Sequence, residues 1–442
     1  MIEVLNKPVL HTERIRMKIT VNNIAKILEA DVVLDGVTVI AGYNNMGKST
    51  ILKAAYMVFR TFRNANHKIL DVRRESIRSY FLKQESYFSR FGYDEILRDC
   101  LLVMSGKVCE NLSVFMNDRQ DDFKIFKKIF YDSFEIYKTF FTEEADLMAT
   151  FSDNFIMPVY KGFKEICIRD KKDDIKYIGN MYIRNLFKNQ MNSLYNKNKA
   201  FIHIDSDSEH YFMSVNDNKI EDMSYSANTE EDVFYLPAYN LLDVMETPFA
   251  DKRRYSPEYD IKEALPAQES EPNFEEYLEM EYNTKLIKNI LKEVIHGKLE
   301  RLPSGQLSFK DDNLNDFVSI GNVASGMKNF LIIQSLAEKG KLKRNSILLI
   351  DEPETNLHPE WHLKFAEVLV LMYKHMGVRS IVNSHSPYFI RALEVKMADY
   401  GIKDKGHYYL TEEAGQNLFR TQDVTEATDK IYELLYRPLE YL

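Results

Sequence analysis

Apolar and polar positions alternate over residues 14–20, with Ile15, Met17 and Ile19 on one face, which is the period of a half-buried strand. Residues 30–34 predict a second short strand, and Asp35-Gly36 is a turn signal. Residues 37–41 (Val-Thr-Val-Ile-Ala) are β-branched and nearly all apolar, the composition of a strand covered on both faces. A glycine-bounded loop follows, and residues 51–62 change to helical spacing. Over residues 62–184 glycine is sparse, aromatic and charged residues are dense, and apolar positions recur at three and four. Residues 94–104 and 122–141 read there as amphipathic helices. Two heptad-like stretches fall short of the three or four heptads of a long coiled coil.

The period returns to two further on. Residues 201–205 and 211–215 predict a hairpin, and 232–236 another strand. From Asp205 through Asp232 there are nine acidic residues and one basic residue, Lys219, which reads as an acidic loop system. Residues 251–272 hold three prolines and many charges, the pattern of a mobile linker or loop. Asn273-Phe274-Glu275-Glu276 is a capping box for a helix running towards His296 and stopping at Gly297. Short strands are expected at 307–309 and 317–320, a helix at 328–338 and an apolar strand at 346–350. Pro359 opens a helix that Gly377 ends, followed by a buried strand at 378–382, strands at 408–410 and 418–419, and a helix at 424–436. No internal repeat is present. Two strand-rich ends therefore flank a helical middle.

Composition narrows the classes. The chain has 442 residues, 45% apolar and 28% charged, which suits two or three globular units and excludes a disordered or collagen-like chain. The net charge of −9 argues against a globally basic nucleic-acid coat protein. It leaves room for a local basic groove, because a field depends on charge placement. Residues 161–199 carry ten Lys or Arg against four Asp or Glu, read as a solvated helix face or, more sharply, as a contact for nucleic acid or an acidic partner. Cys100, Cys109 and Cys167 form no C-x-x-C pair, so a reduced, cytoplasmic protein without structural zinc is expected. No apolar run approaches a membrane span of about 18 residues, and residues 1–20 lack the apolar core of a signal peptide.

The chemistry lies at the two ends. Gly42-Tyr43-Asn44-Asn45-Met46-Gly47-Lys48-Ser49 fits G-x-x-x-x-G-K-[ST] between a β-branched strand and a helix, the context that pattern needs. Glycines let backbone N–H groups wrap phosphates, and the helix N-terminus adds a positive dipole end. Lys48 can reach the β- and γ-phosphates, and Ser49 can ligate Mg²⁺. The strand before Asp351-Glu352 delivers two adjacent carboxylates: Asp351 to hold Mg²⁺, Glu352 to activate the attacking water. Ala324-Ser325-Gly326-Met327-Lys328 opens a helix and offers a second anion site. Pro353-Glu354-Thr355-Asn356-Leu357-His358-Pro359 follows the acidic pair, and Asn383-Ser384-His385-Ser386-Pro387 ends the next strand, where His385 could sense a γ-phosphate.

These five signals in this order resemble an ABC-type ATPase head of the SMC, RecF and OLD-like group. The string from Asp351 to Pro359, with Ser384-His385-Ser386-Pro387, is most similar to OLD-like defence ATPases. The resemblance covers roughly residues 13–60 and 305–390 and implies an α/β fold: a mixed-sheet head with a P-loop core, split by a large, mostly helical insertion. On this reading residues 1–62 begin the head and 63–200 are the insertion. Residues 201–304 complete both parts, and 305–442 carry the signature, Walker B and switch histidine.

The same resemblance implies ATP and Mg²⁺ as cofactors, with Ser49 and Asp351 on the metal. It implies a homodimer in which one protomer supplies Lys48, Ser49, Asp351, Glu352 and His385, with Gly42, Asn44, Asn45, Gly47 and Thr50 of the same loop also at the nucleotide. The other supplies Ser325 and Gly326 in trans, and Lys328 of the signature segment and Asn356 of the segment equivalent to the D-loop are further candidate nucleotide-binding residues. Lys48, Glu352 and His385 are the residues expected to act on the reaction. The signature departs from that of transporters, with Met327-Lys328 where they have glycine and glutamine, and Gln84 is a candidate for the Q-loop glutamine.

Two function classes follow from the resemblance, with a third beside them. The first is the scaffold and sensor ATPase of an anti-phage system of PARIS or Septu type, sometimes retron-associated. It assembles as a dimer or higher oligomer, controls a separate effector nuclease or toxin, and answers a nucleic-acid or phage-protein trigger. The second is an SMC- or RecF-like DNA-repair or chromosome-maintenance ATPase, for which Lys171 and Lys172 are candidate duplex contacts. The third is a self-contained nuclease using Asp205 and Asp207. A transporter subunit fits poorly, because 283 residues separate Gly42 from Ser325.

Overall fold

The computed structural model describes residues 16–85, 94–117, 122–135, 152–226, 232–245, 254–265 and 274–437. Residues 14 and 15 of the first expected strand, residues 136–141 of the helix expected at 122–141, and Asn273, the expected helix cap, lie outside them. The chain divides into two compact units, one of Met1–Arg63 with Ile178–Leu442, the other of Asn64–Tyr177.

The first unit is built on an eleven-stranded mixed sheet. Its strands are β1 (Met17–Ile24), β2 (Ile27–Leu34), β3 (Val37–Ala41), β4 (Ala200–Asp205), β5 (His210–Asn216), β6 (Lys219–Tyr225), β7 (Val233–Leu236), β11 (Ile347–Asp351), β12 (Arg379–Ser384), β13 (Gly406–Gly415) and β14 (Leu418–Asp423). They run in the order β6-β5-β4-β1-β2-β14-β13-β3-β12-β11-β7. A separate three-stranded sheet joins β8 (Gly297–Arg301), β9 (Leu307–Asp311) and β10 (Phe317–Ser319). The mixed α/β fold implied by the resemblance is the fold the chain adopts.

The strands β13, β3, β12, β11 and β7 are mutually parallel. Every residue of β3, β7, β11 and β12 is buried, as two-sided helix cover requires. Val39, Ile350 and Val382 belong to one core with Phe330, Ile333, Phe365 and Phe389 from the helices Ser325–Glu338, Pro359–Leu371 and Pro387–Asp399. The β6-β5-β4-β1-β2 side is antiparallel and alternates, with Ile202, Ile204, Tyr211 and Met213 turned inward.

Two expectations are corrected. The acidic stretch is not all loop: Lys219–Tyr225 pairs antiparallel with β5. Asp217 and Asn218 both take positive φ (47° and 59°), the pair of left-handed residues that a tight hairpin turn needs. The proline-rich segment contains a helix, Pro257–Ala264. Ser256 caps it by accepting from the Tyr259 N–H at 3.3 Å, and Pro257 stands in its first turn, where no N–H is required. Asp260 on that helix is buried, ion-paired to Arg60 at 2.6 Å and accepting from the hydroxyls of Tyr56 and Tyr182. Such a paired, hydrogen-bonded acid tolerates burial that a lone carboxylate would not.

The second unit is helical, with Ala65–Lys83, Asp94–Glu110, Leu112–Met116, Asp122–Glu135 and Asp153–Cys167. Its core includes Phe81, Phe115, Phe126 and Phe163, with ring centroids of Phe126 and Phe163 5.1 Å apart. Arg73 donates to the buried Asp174 at 2.7 Å and to the Cys167 and Arg169 carbonyls. Cys100, Cys109 and Cys167 are free thiols, and burial pushes all three up, Cys100 and Cys167 to about 12. They are poor metal ligands and nucleophiles at neutral pH, because the thiolate is the reactive form.

Candidate nucleotide site

The parallel strands deliver the predicted residues to one edge. In register, Ser384 stands beside Ala41 and Asn383 beside Asp351. The loop after β3, the acid pair after β11 and the histidine after β12 therefore meet at the carboxyl edge of neighbouring strands, the place where open α/β sheets bind ligands.

The loop from Gly42 to Gly47 leads into the helix Lys48–Phe62. Gly47 caps that helix with φ +83°, and a Cβ there would lie 2.6 Å from Ile27 Cδ1. Gly42 has φ +151°, and a Cβ on it would collide with Thr411 Oγ1 at 1.9 Å. Both positions thus need glycine. Asn44 and Asn45 are exposed, Asn45 with φ +68°, while Ser49 and Thr50 are half-buried on the first turn. Lys48 is buried and donates to the Gly42 carbonyl at 2.8 Å and the Tyr43 carbonyl at 2.7 Å. Burial pushes its ammonium pKa down, against the fields of Glu352, Asp351 and Glu354. A cation in that position faces a cluster of carboxylates and can be shared with phosphate.

Asp351 is buried, its Oδ1 accepting from Asn383 Nδ2 at 3.0 Å and its Oδ2 from the Tyr235 hydroxyl at 3.3 Å. Burial, reinforced by Asp351, holds the Tyr235 phenol well above its usual range, so it remains a donor. Glu352 has φ +50°, with its N–H donating to the Asn383 carbonyl at 3.0 Å. A left-handed non-glycine residue costs about 1–2 kcal/mol, and here that backbone turn accompanies a carboxylate brought 3.4 Å from His385 Nδ1. The contact lacks hydrogen-bond alignment, and His385 Nδ1 has no hydrogen-bond partner. Glu354 Oε1 accepts from Ser384 Oγ at 2.7 Å and from the His385 N–H at 3.1 Å, pinning the histidine loop to the acidic loop.

The signature segment lies elsewhere. Ser325 is exposed at the start of its helix, and Gly326 packs on the loop after Glu352, where a Cβ would lie 2.6 Å from the Asn356 carbonyl. Asn356 is exposed with φ +64°. Lys328 turns inward and pairs with Asp243 at 2.5 Å. Among the described residues, Ser325, Gly326 and Lys328 make no hydrogen bond to the P-loop. Asp205 and Asp207 also stand apart from the site, at the end of β4 and in the turn after it. Lys171 and Lys172 are exposed in the first turn of the helix Lys171–Phe187, while Lys164 and Arg169 are taken up by Asp122 and Asp174. Gln84 caps the helix Ala65–Lys83 in the helical unit.

Sequence reasoning assigned no role to Asn383, Glu354 or Tyr235. Asn383 and Glu354 sit inside the motif strings, and Asn383, a polar residue directly after an apolar run, was a signal. Tyr235 carried none, since only the pairing of β7 with β11 brings it to Asp351.

The AAA ATPase domain family matches residues 17–390. The chain belongs to that family. One match spans both strand-rich ends and the helical middle, and membership implies ATP binding, typically with Mg²⁺. The Ser49 hydroxyl and the Asp351 carboxylate are hard oxygen donors of the kind Mg²⁺ takes. The chain is similar to the SmcHead in a crystal structure with the C-winged helix domain of ScpA bound, at 11% identity, 93% coverage of this chain, 98% of that one, and a TM-score of 0.45. It is also similar to the SMC head domain from Thermotoga maritima, at 9% identity, 93% and 99% coverage, and a TM-score of 0.37. No curated protein matches the chain. Among the described residues no helix is long and apolar enough to cross a membrane.

Proposed function

We propose that the chain is a slow, Mg²⁺-dependent ATPase whose nucleotide state governs its assembly and its hold on a separate partner. The observation that carries this is the buried Lys48 facing Asp351, Glu352 and Glu354 at one sheet edge. Lys48, Gly42, Asn44, Asn45, Gly47, Ser49 and Thr50 would grip the triphosphate, and Asp351 with Ser49 would hold Mg²⁺, which neutralises phosphate charge when bound. Glu352 would take a proton from the attacking water as it bonds to the γ-phosphorus, with ADP as leaving group. His385, beside both Glu352 and Glu354, would report whether the γ-phosphate is present. Ser325 and Gly326 on an exposed helix start would complete a partner protomer's site, with Asn356 beside them.

On the motif resemblance, we propose that the partner is an effector nuclease or toxin of an anti-phage system, released or engaged on a phage-derived trigger, with the protein acting in the cytoplasm. A second reading, a DNA-bound maintenance ATPase, is favoured by the exposed Lys171-Lys172 pair. Glu352→Gln protein, captured with Mg-ATP from cells carrying the neighbouring genes, separates them. The variant should retain ATP while turnover falls by about 10²–10⁴-fold. A stoichiometric small protein in the capture supports the first reading. Duplex DNA alone supports the second. Normal turnover would remove Glu352 from its role.

A further inference from the structure

We propose that the solvent face of the β4–β5 hairpin is a binding site for a first-row divalent transition metal of the Zn²⁺ class, formed by His203, Asp205 and His210. His203 and Asp205 are two apart on β4 and so share a face, while His210 is the direct cross-strand partner of Asp205. The ring atoms converge: His203 Nε2 lies 3.0 Å from His210 Nδ1, which is 3.4 Å from Asp205 Oδ1, with His203 Nε2 and Asp205 Oδ1 4.0 Å apart. Ligand atoms around a tetrahedral ion with bonds of about 2.1 Å stand roughly 3.4 Å apart, close to this spacing. These three are the group of His, Cys, Asp and Glu with metal-holding geometry among the described residues.

The surroundings favour a cation. His210 Nε2 is 3.3 Å from Ser224 Oγ on β6. With the Nε2 proton given to that hydroxyl, Nδ1 presents its lone pair to the other two groups. Such an outer partner fixes ring orientation in metal-bound histidines. Lys18, opposite Asp205 on β1, is held by Asp31 at 2.8 Å and leaves the Asp205 carboxylate to the histidines. In that tautomer the Asp205 carboxylate and the His210 Nδ1 lone pair face the same space as His203 Nε2, a set of donors that one metal ion can bridge. Imidazole ligands select Zn²⁺, Cu²⁺ or Ni²⁺ over Mg²⁺. The site is thus chemically distinct from the oxygen donors at Ser49 and Asp351. A fourth position stays open to solvent, since His203 and His210 are only half-covered and Asp205 is exposed. Bound metal would clip the end of the hairpin. Asp207, in the turn, is not part of the set.

Calorimetric titration of the chelator-treated full chain with Zn²⁺, in excess Mg²⁺, tests this. One Zn²⁺ per chain at micromolar Kd or tighter is expected, weakened at least ten-fold in His203→Gln and in His210→Gln and unchanged in Asp207→Asn. Binding of a fluorescent ATP analogue should be the same in all four proteins, which shows that each is folded. Absence of Zn²⁺ binding, or equal affinity in wild type and both glutamine variants, overturns the proposal. Should a variant fail to fold, the Co²⁺ spectrum of the wild type decides. An intense low-coordinate visible band without thiolate charge transfer supports the site, and a weak octahedral spectrum overturns it.

Discussion

Lys48 has two carbonyls of its own loop within hydrogen-bond reach and three carboxylates in its field. Burial alone would drive the ammonium towards neutrality, and the carboxylates restore part of its charge. Its side chain therefore serves the loop and the phosphates together. Lys48→Ala should abolish nucleotide binding and lower ATPase activity by at least about 10²-fold, the cost of losing one preorganised charge donor. Full activity in that variant, measured by phosphate release, would sink the assignment. At the same scale, Glu352 was legible as an acid after an apolar strand. Its positive φ was not, because that conformation goes with a bond from its N–H to the Asn383 carbonyl on a neighbouring strand distant in sequence.

At the scale of elements, the register of β12 between β3 and β11 does most of the positioning. Central strands buried on both faces were readable from their apolar runs, whereas their order was not, since every parallel strand presents the same pattern. Gly326 shows how one contact reverses an intrinsic preference. Glycine to alanine within a helix normally stabilises by roughly 0.5–1 kcal/mol. Here the added methyl meets the Asn356 carbonyl and Leu357, and backbone must shift. Gly326→Ala should destabilise by about 1–3 kcal/mol in urea unfolding, and a stabilised variant would show that the two loops separate freely.

Half-buried histidines set an acid limit. Burial pushes His375 and His407 down, so each stays neutral in the fold at pH values where the unfolded chain binds a proton. That stability is present above about pH 6.5 and is lost as the pH falls through the depressed folded values. The melting temperature of the wild type should fall more steeply between pH 7 and 5 than that of the His375→Gln, His407→Gln double variant. Parallel curves would mean the two rings do not carry the effect.

At the scale of the whole molecule, the two ends of the chain, separated in sequence by the helical unit, close one sheet. Strand β3 lies between β13 and β12, which begin more than 330 residues later. The proposed dimer draws on the exposed start of the helix Ser325–Glu338. Ser325→Arg, placed in Glu352→Gln protein, should leave ATP binding to the monomer intact while preventing the Mg-ATP-dependent dimer seen by light scattering. A dimer of unchanged stability would move the interface elsewhere.

The phosphate loop, the acid pair, the histidine after the next strand and the alternation of apolar ends with a helical middle were determined by the sequence alone. They depend on local rules: glycine where backbone must turn, β-branched runs where strands are covered, polar residues where strands end. Tertiary structure decided the rest, because each case depends on partners distant in the chain. It placed Tyr235 on Asp351, turned Lys328 inward to Asp243, and made a helix of the proline-rich segment, with Asp260 paired to Arg60. It also gathered His203, Asp205 and His210 on one hairpin face, where the sequence by itself had suggested only Asp205 and Asp207. Alternation tells which face a residue takes, but the cross-strand register that gives it neighbours is set by the packing of the whole sheet.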